Sequence, residues 1–126
     1  MDNIDVMLDG YIETALWSSL DDDNNSMDDN HSRDNLDPES DKEMRADCQK
    51  FLEDAVDLLE KIPDLDYSLV GHEFWLTRNH HGAGFWDSPE RWGGRDNADA
   101  LTDLANKMGE RYLYVGDDET VYQSEA

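Results

Sequence analysis

Apolar residues at Ile4, Met7, Leu8, Tyr11, Ile12, Ala15 and Leu16 recur every three or four positions, which predicts an amphipathic helix over residues 4–20. Asp2, Asp5, Asp9 and Glu13 repeat at the same spacing on another face, so their carboxylates form a row with neighbours roughly 5–6 Å apart. No basic residue precedes Arg33 to relieve that row, and Gly10 inside the helix costs about 1 kcal/mol more. The periodicity then stops. Residues 21–36, DDDNNSMDDNHSRDNL, read as an acidic, mobile loop. A second helix announces itself at Asp37, a good N-cap, followed by Pro38 at the first helical position and Glu39 near the positive end of the dipole. Its buried stripe is Met44, Cys48, Phe51, Leu52, Ala55, Leu58, Leu59 and Ile62, and Pro63 stops it.

Beyond a short connection over 64–70 the pattern changes to an aromatic run, GHEFWLTRNHHGAGFWD, from Gly71 to Asp87. Alternation predicts two short strands. His72, Phe74, Leu76 and Arg78 point one way and Glu73, Trp75 and Thr77 the other. Asn79-His80-His81-Gly82 supplies the turn, with Gly82 free to take positive φ, and Gly84 marks a bulge or a group lying close against the backbone. Ser88 to Arg95 is a loop by its Pro and Gly content. Asp96 or Asn97 caps a third helix that buries Ala98, Leu101, Leu104, Ala105 and Met108 and ends at Gly109. Arg111–Val115 and Thr120–Gln123 form a closing hairpin around Gly116-Asp117-Asp118-Glu119. The order ααββαββ predicts an α+β fold, with a small antiparallel sheet of two hairpins packed against about three helices in a single domain spanning 1–126.

The aromatic run also carries a resemblance. It is similar to a motif of small phage-encoded proteins of unassigned function, G-H-[DE]-F-W-L-T-R-N-x-H-G-A-G-F-W-D. The likeness continues through Tyr11–Ser19 upstream and Leu113–Asp118 downstream. It implies a phage or prophage origin and expression in a bacterial host, and it brings no chemistry with it. Ser88–Asn97, with Trp92-Gly93-Gly94, is longer than that pattern and reads as particular to this chain.

Charge alters the picture most. Asp and Glu number 32 against 10 Lys and Arg, a formal net charge of −22. Charge of that size opposes compaction, so 4 Trp, 5 Tyr and 3 Phe are needed to build a core beneath it. The field repels nucleic acid and anionic membrane and attracts basic protein surfaces. The lone Cys48 sits in a buried stripe, where an inert thiol is expected, and it fits a reducing compartment. With no secretory or membrane-spanning segment in view, the expectation is a soluble protein of the bacterial host cytoplasm.

The candidates for chemistry are His72, His80, His81, Arg78, Asn79, Asp87 and the Asp117-Asp118-Glu119 turn. Asp21, Asp23 and Asn25 alternate as in a calcium loop, but Ser26 and Ser32 stand where that loop needs Gly and Glu. No zinc-ligand spacing, nucleophile pair or phosphate loop is present, so no catalytic residue, metal or cofactor is assigned. Two readings stand. In the first, the chain is an anti-restriction or anti-CRISPR type inhibitor that imitates nucleic acid. Asp2, Asp5, Asp9, Glu13, Asp21, Asp22, Asp23, Asp28 and Asp29 then act as phosphate surrogates for a basic nucleic-acid-binding host protein, in a monomer or a homodimer. In the second, Trp75, Trp86 and Trp92 stack on a small molecule such as a nucleotide signal, while Arg78 and Asn79 hold its polar edge. Against the second, the Trp residues serve as core, Arg78 pairs with acids and Asn79 shapes the turn.

Overall fold

The computed structural model describes residues 2–125, an α+β arrangement of four helices and one two-stranded antiparallel sheet. The helices are α1 (Asn3–Ser18), α2 (Pro38–Leu59), α3 (Tyr67–Arg78) and α4 (Arg95–Lys107). The strands β1 (Arg111–Val115) and β2 (Val121–Glu125) pair with Arg111 opposite Glu125 and Val115 opposite Val121. The expected second helix starts where its signals place it, with the Asp37 carboxylate accepting from the Ser40 amide at 3.0 Å and Pro38 opening the first turn. The closing hairpin also lies where strand patterning puts it.

The aromatic hairpin does not exist. Its first half is α3, so the order is four helices followed by one hairpin, and ααββαββ is wrong by one helix and one strand pair. Asp66 caps α3, its carboxylate accepting from the Ser68 and Leu69 amides at 3.0 and 3.3 Å. Val70, Gly71, Phe74, Trp75, Thr77 and Arg78 are all buried, a spacing of three and four that alternation from Gly71 onward had masked. The turn is a helix C-terminus. His81 N–H donates to Leu76 O at 3.1 Å and His80 N–H to Thr77 O at 3.2 Å, with His80 at φ 56°. This is the pair of bonds that closes a helix with one left-handed residue. Gly82 does take a positive φ, 80°. At Gly84 the close neighbour is Thr77, whose Oγ1 accepts from the Phe85 amide at 3.2 Å and would lie 2.2 Å from any added Cβ.

Helices α1 and α3 form the most extensive packing in the molecule, and glycines make it possible. A Cβ on Gly10 would meet Ser68 O at 2.2 Å, and one on Gly71 would meet Met7 O at 2.1 Å, so the backbones touch at both points. The helical propensity lost at Gly10 is offset by the packing this close crossing permits. An aromatic chain then runs through the core. Tyr11 stacks on Phe74 at 5.2 Å, Phe74 on Phe51 at 4.5 Å and Phe51 on Phe85 at 5.6 Å, and Phe85 meets Trp92 edge-on at 4.8 Å. Each such pair contributes about 0.5–1.5 kcal/mol beyond the area it buries.

The long loop is internally organised. It contains 3-10 turns over Met27–Asp29 and Arg33–Asn35, and the fully buried Met27 anchors it to the core. Neither Asp96 nor Asn97 caps α4, which starts after Gly94 at φ 101°. Asn97 is instead buried, donating from Nδ2 to the carbonyls of Leu58 and Trp92, both at 2.9 Å, which fixes the Pro89–Gly94 loop against α2.

Candidate functional site: an acidic cleft

Arg33 and Arg45 change the meaning of the carboxylate row on α1. The Arg33 guanidinium bonds Asp9 and also Asp41, with Nε 3.2 Å from Asp41 Oδ2, while Arg45 bonds Asp5 at 2.7 Å. Asp5 and Asp9 are therefore each paired with an arginine of this chain, at half-exposed positions. Relief comes from residues 24 and 40 positions away in the chain, a distance over which local spacing carries no information. Asp2 is exposed at the N-cap position of α1 without a side-chain cap bond, and Glu13 is exposed one turn beyond Asp9.

The loop carboxylates come together with a segment that sequence reasoning kept apart from them. Asp21, Asp22 and Asp23 face Asp117 and Glu119 of the β1–β2 turn across a cleft of about 350 Å³, with Asn30 and His31 along its side. Both walls are held by local hydrogen bonds. Asp21 Oδ1 accepts from the amides of Asp23 and Asn25 at 2.9 and 3.0 Å, and Asp21 N–H donates to Asn25 O at 2.9 Å. Ser26 Oγ donates to Trp17 O at 2.7 Å, and Met27 N–H donates to Ser19 O at 2.8 Å, tying the base of the loop to the end of α1. Opposite, Gly116 N–H donates to Thr120 O at 2.8 Å, and the Asp118 carboxylate accepts from the Thr120 amide and the Tyr122 hydroxyl at 3.1 and 3.0 Å. Those bonds hold the Asp118 carboxyl below its usual range, the Thr120 amide foremost.

Glu119 occupies a left-handed position, φ 64°, at the place in this turn where Gly or Asn is the usual residue. A side chain there costs about 1–2 kcal/mol. The His31 side chain is nearly buried beside it, with Nε2 3.3 Å from Glu119 Oε2. Asp28 Oδ1 lies 2.8 Å from Ser26 Oγ, where it competes with Trp17 O for that hydroxyl's one proton, and Asp29 is exposed on the same loop.

The residues of the alternative pocket are not assembled into one. Trp75 and Trp92 are 1 % exposed and Arg78 is 0 %. The Arg78 guanidinium spends its donors inside, on Gly109 O at 2.7 Å, Met108 O at 2.9 Å, Tyr11 Oη at 3.0 Å and Asp47 Oδ2 at 2.7 Å, and it lies 5.0 Å over the Phe74 ring. Burial opposes its charge, but Tyr11 and Asp47 outweigh that and hold the proton above the ordinary arginine value. Asn79 ties the end of α3 to β1, donating to Trp75 O at 3.1 Å and accepting from the Arg111 amide at 2.8 Å. Of the group, Trp86 alone is exposed, beside a small cleft shared with His80, Gly82 and Thr102. Cys48 is buried, and burial raises its thiol far above the range in which a thiolate forms.

Among the described residues, no group of three or more His, Cys, Asp or Glu is placed to hold a metal ion, and no helix is long and apolar enough to cross a membrane. No family model, curated protein or solved structure matches the chain.

Proposed function

We propose that this protein is a phage-encoded acidic inhibitor of the bacterial host cytoplasm that imitates nucleic acid and occupies the nucleic-acid-binding cleft of a basic host protein. The observation that carries the reading is the acidic cleft itself. Five acidic residues from two distant segments line it, on walls held by local hydrogen bonds, with no Lys or Arg among the lining residues. Duplex DNA presents one charge per roughly 1.7 Å of its axis, and a protein competes with it by holding carboxylates in place before binding, so that little ordering entropy is lost on contact. A glutamate kept at a backbone position that strains it, in a turn that a glycine would relax, is consistent with a carboxylate retained for what it meets outside the molecule. The binding set accordingly shifts from the α1 row to Asp21, Asp22, Asp23, Asp117 and Glu119, with Asp28 and Asp29 beside them.

The test is displacement. Basic proteins captured from host lysate by the wild-type chain at low salt should elute at high salt and should lose their bound DNA when the chain is added. The variant D21N/D22N/D23N/D117N/E119Q, in which every side chain keeps an acceptor oxygen, should neither capture nor displace. A partner that binds the neutralised variant equally well, or keeps its DNA in the presence of the wild type, refutes the reading.

A further inference from the structure

A second cleft, of about 310 Å³, lies between α1 and α3, where Glu13, Thr14 and Trp17 face Asp66, Leu69 and His72. Its lining runs from Gly10, at the glycine crossing, to Trp17. Trp17 is 55 % exposed although it is the bulkiest residue on its face. Its ring is stacked on the His72 imidazole, centroids 6.2 Å apart and planes at 27°, and its carbonyl is held by Ser26 Oγ. An indole fixed in position with a face left to water is the kind of side chain that dominates binding surfaces.

Thr14 Oγ1 gives its only proton to Gly10 O at 2.8 Å, so the 2.8 Å contact with His72 Nδ1 requires the imidazole to carry its hydrogen on Nδ1, while its Nε2 lies 3.7 Å from Glu73 Oε1. Glu13 is an exposed carboxylate without an ion pair among the described residues. Asp66 spends Oδ1 on its own helix and leaves Oδ2 free. The carboxylates of Glu13 and Asp66 therefore line the cleft beside a flat aromatic face, with the Ser68 hydroxyl between the helices. The complementary group is planar and cationic, with donors enough for both carboxylates, which describes a guanidinium. A compact ammonium satisfies the charge but not the plane.

We infer that this cleft takes an arginine side chain of the partner protein, its guanidinium stacked on Trp17 and hydrogen-bonded to Glu13 and Asp66. That the arginine arrives on a protein rests on the proposed function, whereas the preference for a guanidinium rests on the cleft alone. Burial lowers the basicity of His72, so near neutral pH its ring adds no positive charge to repel the guest.

The experiment titrates the full isotope-labelled chain with N-acetylarginine amide, its lysine analogue and its uncharged citrulline analogue, following the Trp17 indole and His72 ring resonances. Saturable shifts are expected with the arginine compound, weaker ones with lysine and none with citrulline. Trp17→Ala and Glu13→Gln, both at exposed positions, should each weaken arginine binding about fivefold. Asp66→Asn, which preserves the helix cap, should weaken it comparably. Equal binding of citrulline or lysine, or an unchanged affinity in Trp17→Ala, overturns the assignment. The two proposals fail separately. Arginine binding here without any DNA-displacing partner would remove the inhibitor reading alone, and a partner indifferent to Trp17→Ala would remove this one alone.

Discussion

Arg78 shows how a residue that invites a functional reading is consumed by the fold. Its guanidinium joins α3 to α1 through Tyr11, to α2 through Asp47 and to the approach of β1 through Met108 and Gly109. Breaking a buried ion pair by removing one partner costs about 3–5 kcal/mol, because the remaining charge and acceptors lose their compensation. Arg78→Met should therefore lower the unfolding free energy by about that amount in urea titrations, and Arg78→Lys by less, since an ammonium retains the charge without the fork. A loss below about 1 kcal/mol for Arg78→Met would mean that the residue does not join these elements. Sequence offered Arg78 both as a ligand group and as a partner for acids. What it lacked was the identity of those acids and carbonyls, which lie 30 or more residues away.

Helix α3 is where local reading and structure part. Val70, Phe74, Trp75 and Thr77 favour strands when taken one at a time, and starting the segment at Gly71 makes alternation look clean. The helical evidence lies one turn upstream, in the Asp66 cap and in Tyr67 to Val70, outside the aromatic run. By contrast α2 was legible because Asp37 and Pro38 mark its start unambiguously, and β1 because its five residues are bounded by glycines. The cap gives a direct check. Asp66→Ala should cost about 1 kcal/mol in thermal or urea unfolding while Asp66→Asn costs little, a contrast that a strand-and-turn arrangement would not produce. Neither cleft could be read in advance, since one joins residues 21–23 to a turn some 95 positions later and the other needs the α1–α3 crossing.

Across the whole molecule, a net charge of −22 sets stability against recognition. Part of it is absorbed by Arg33, Arg45 and Arg78, and the carboxylates of the acidic cleft are among the many that those arginines do not pair. Those groups repel one another across fixed walls, so the fold bears a cost that a partner's cations would remove. Added salt should raise the melting temperature of the wild type, because screening acts within about 10 Å at 0.1 M. The five-site neutralised variant should melt higher than wild type at low salt, with the gap closing as salt rises. A variant that melts lower, or a wild type insensitive to salt, would show that the cleft is not under electrostatic strain. A gain in stability together with loss of partner capture is the trade expected of a surface kept for binding.

The glycine crossing of α1 and α3 reaches further than packing. Because α1 presents Met7, Leu8 and Tyr11 to the interior and Glu13 and Trp17 to the outside, a single rigid rod carries both the keel of the molecule and one jaw of its cleft. With its backbone in contact with α3 at two points, that jaw is set by the same crossing that builds the core. The arginine proposed for the opening would then meet a shape made before it arrives, and less ordering entropy would be lost on contact.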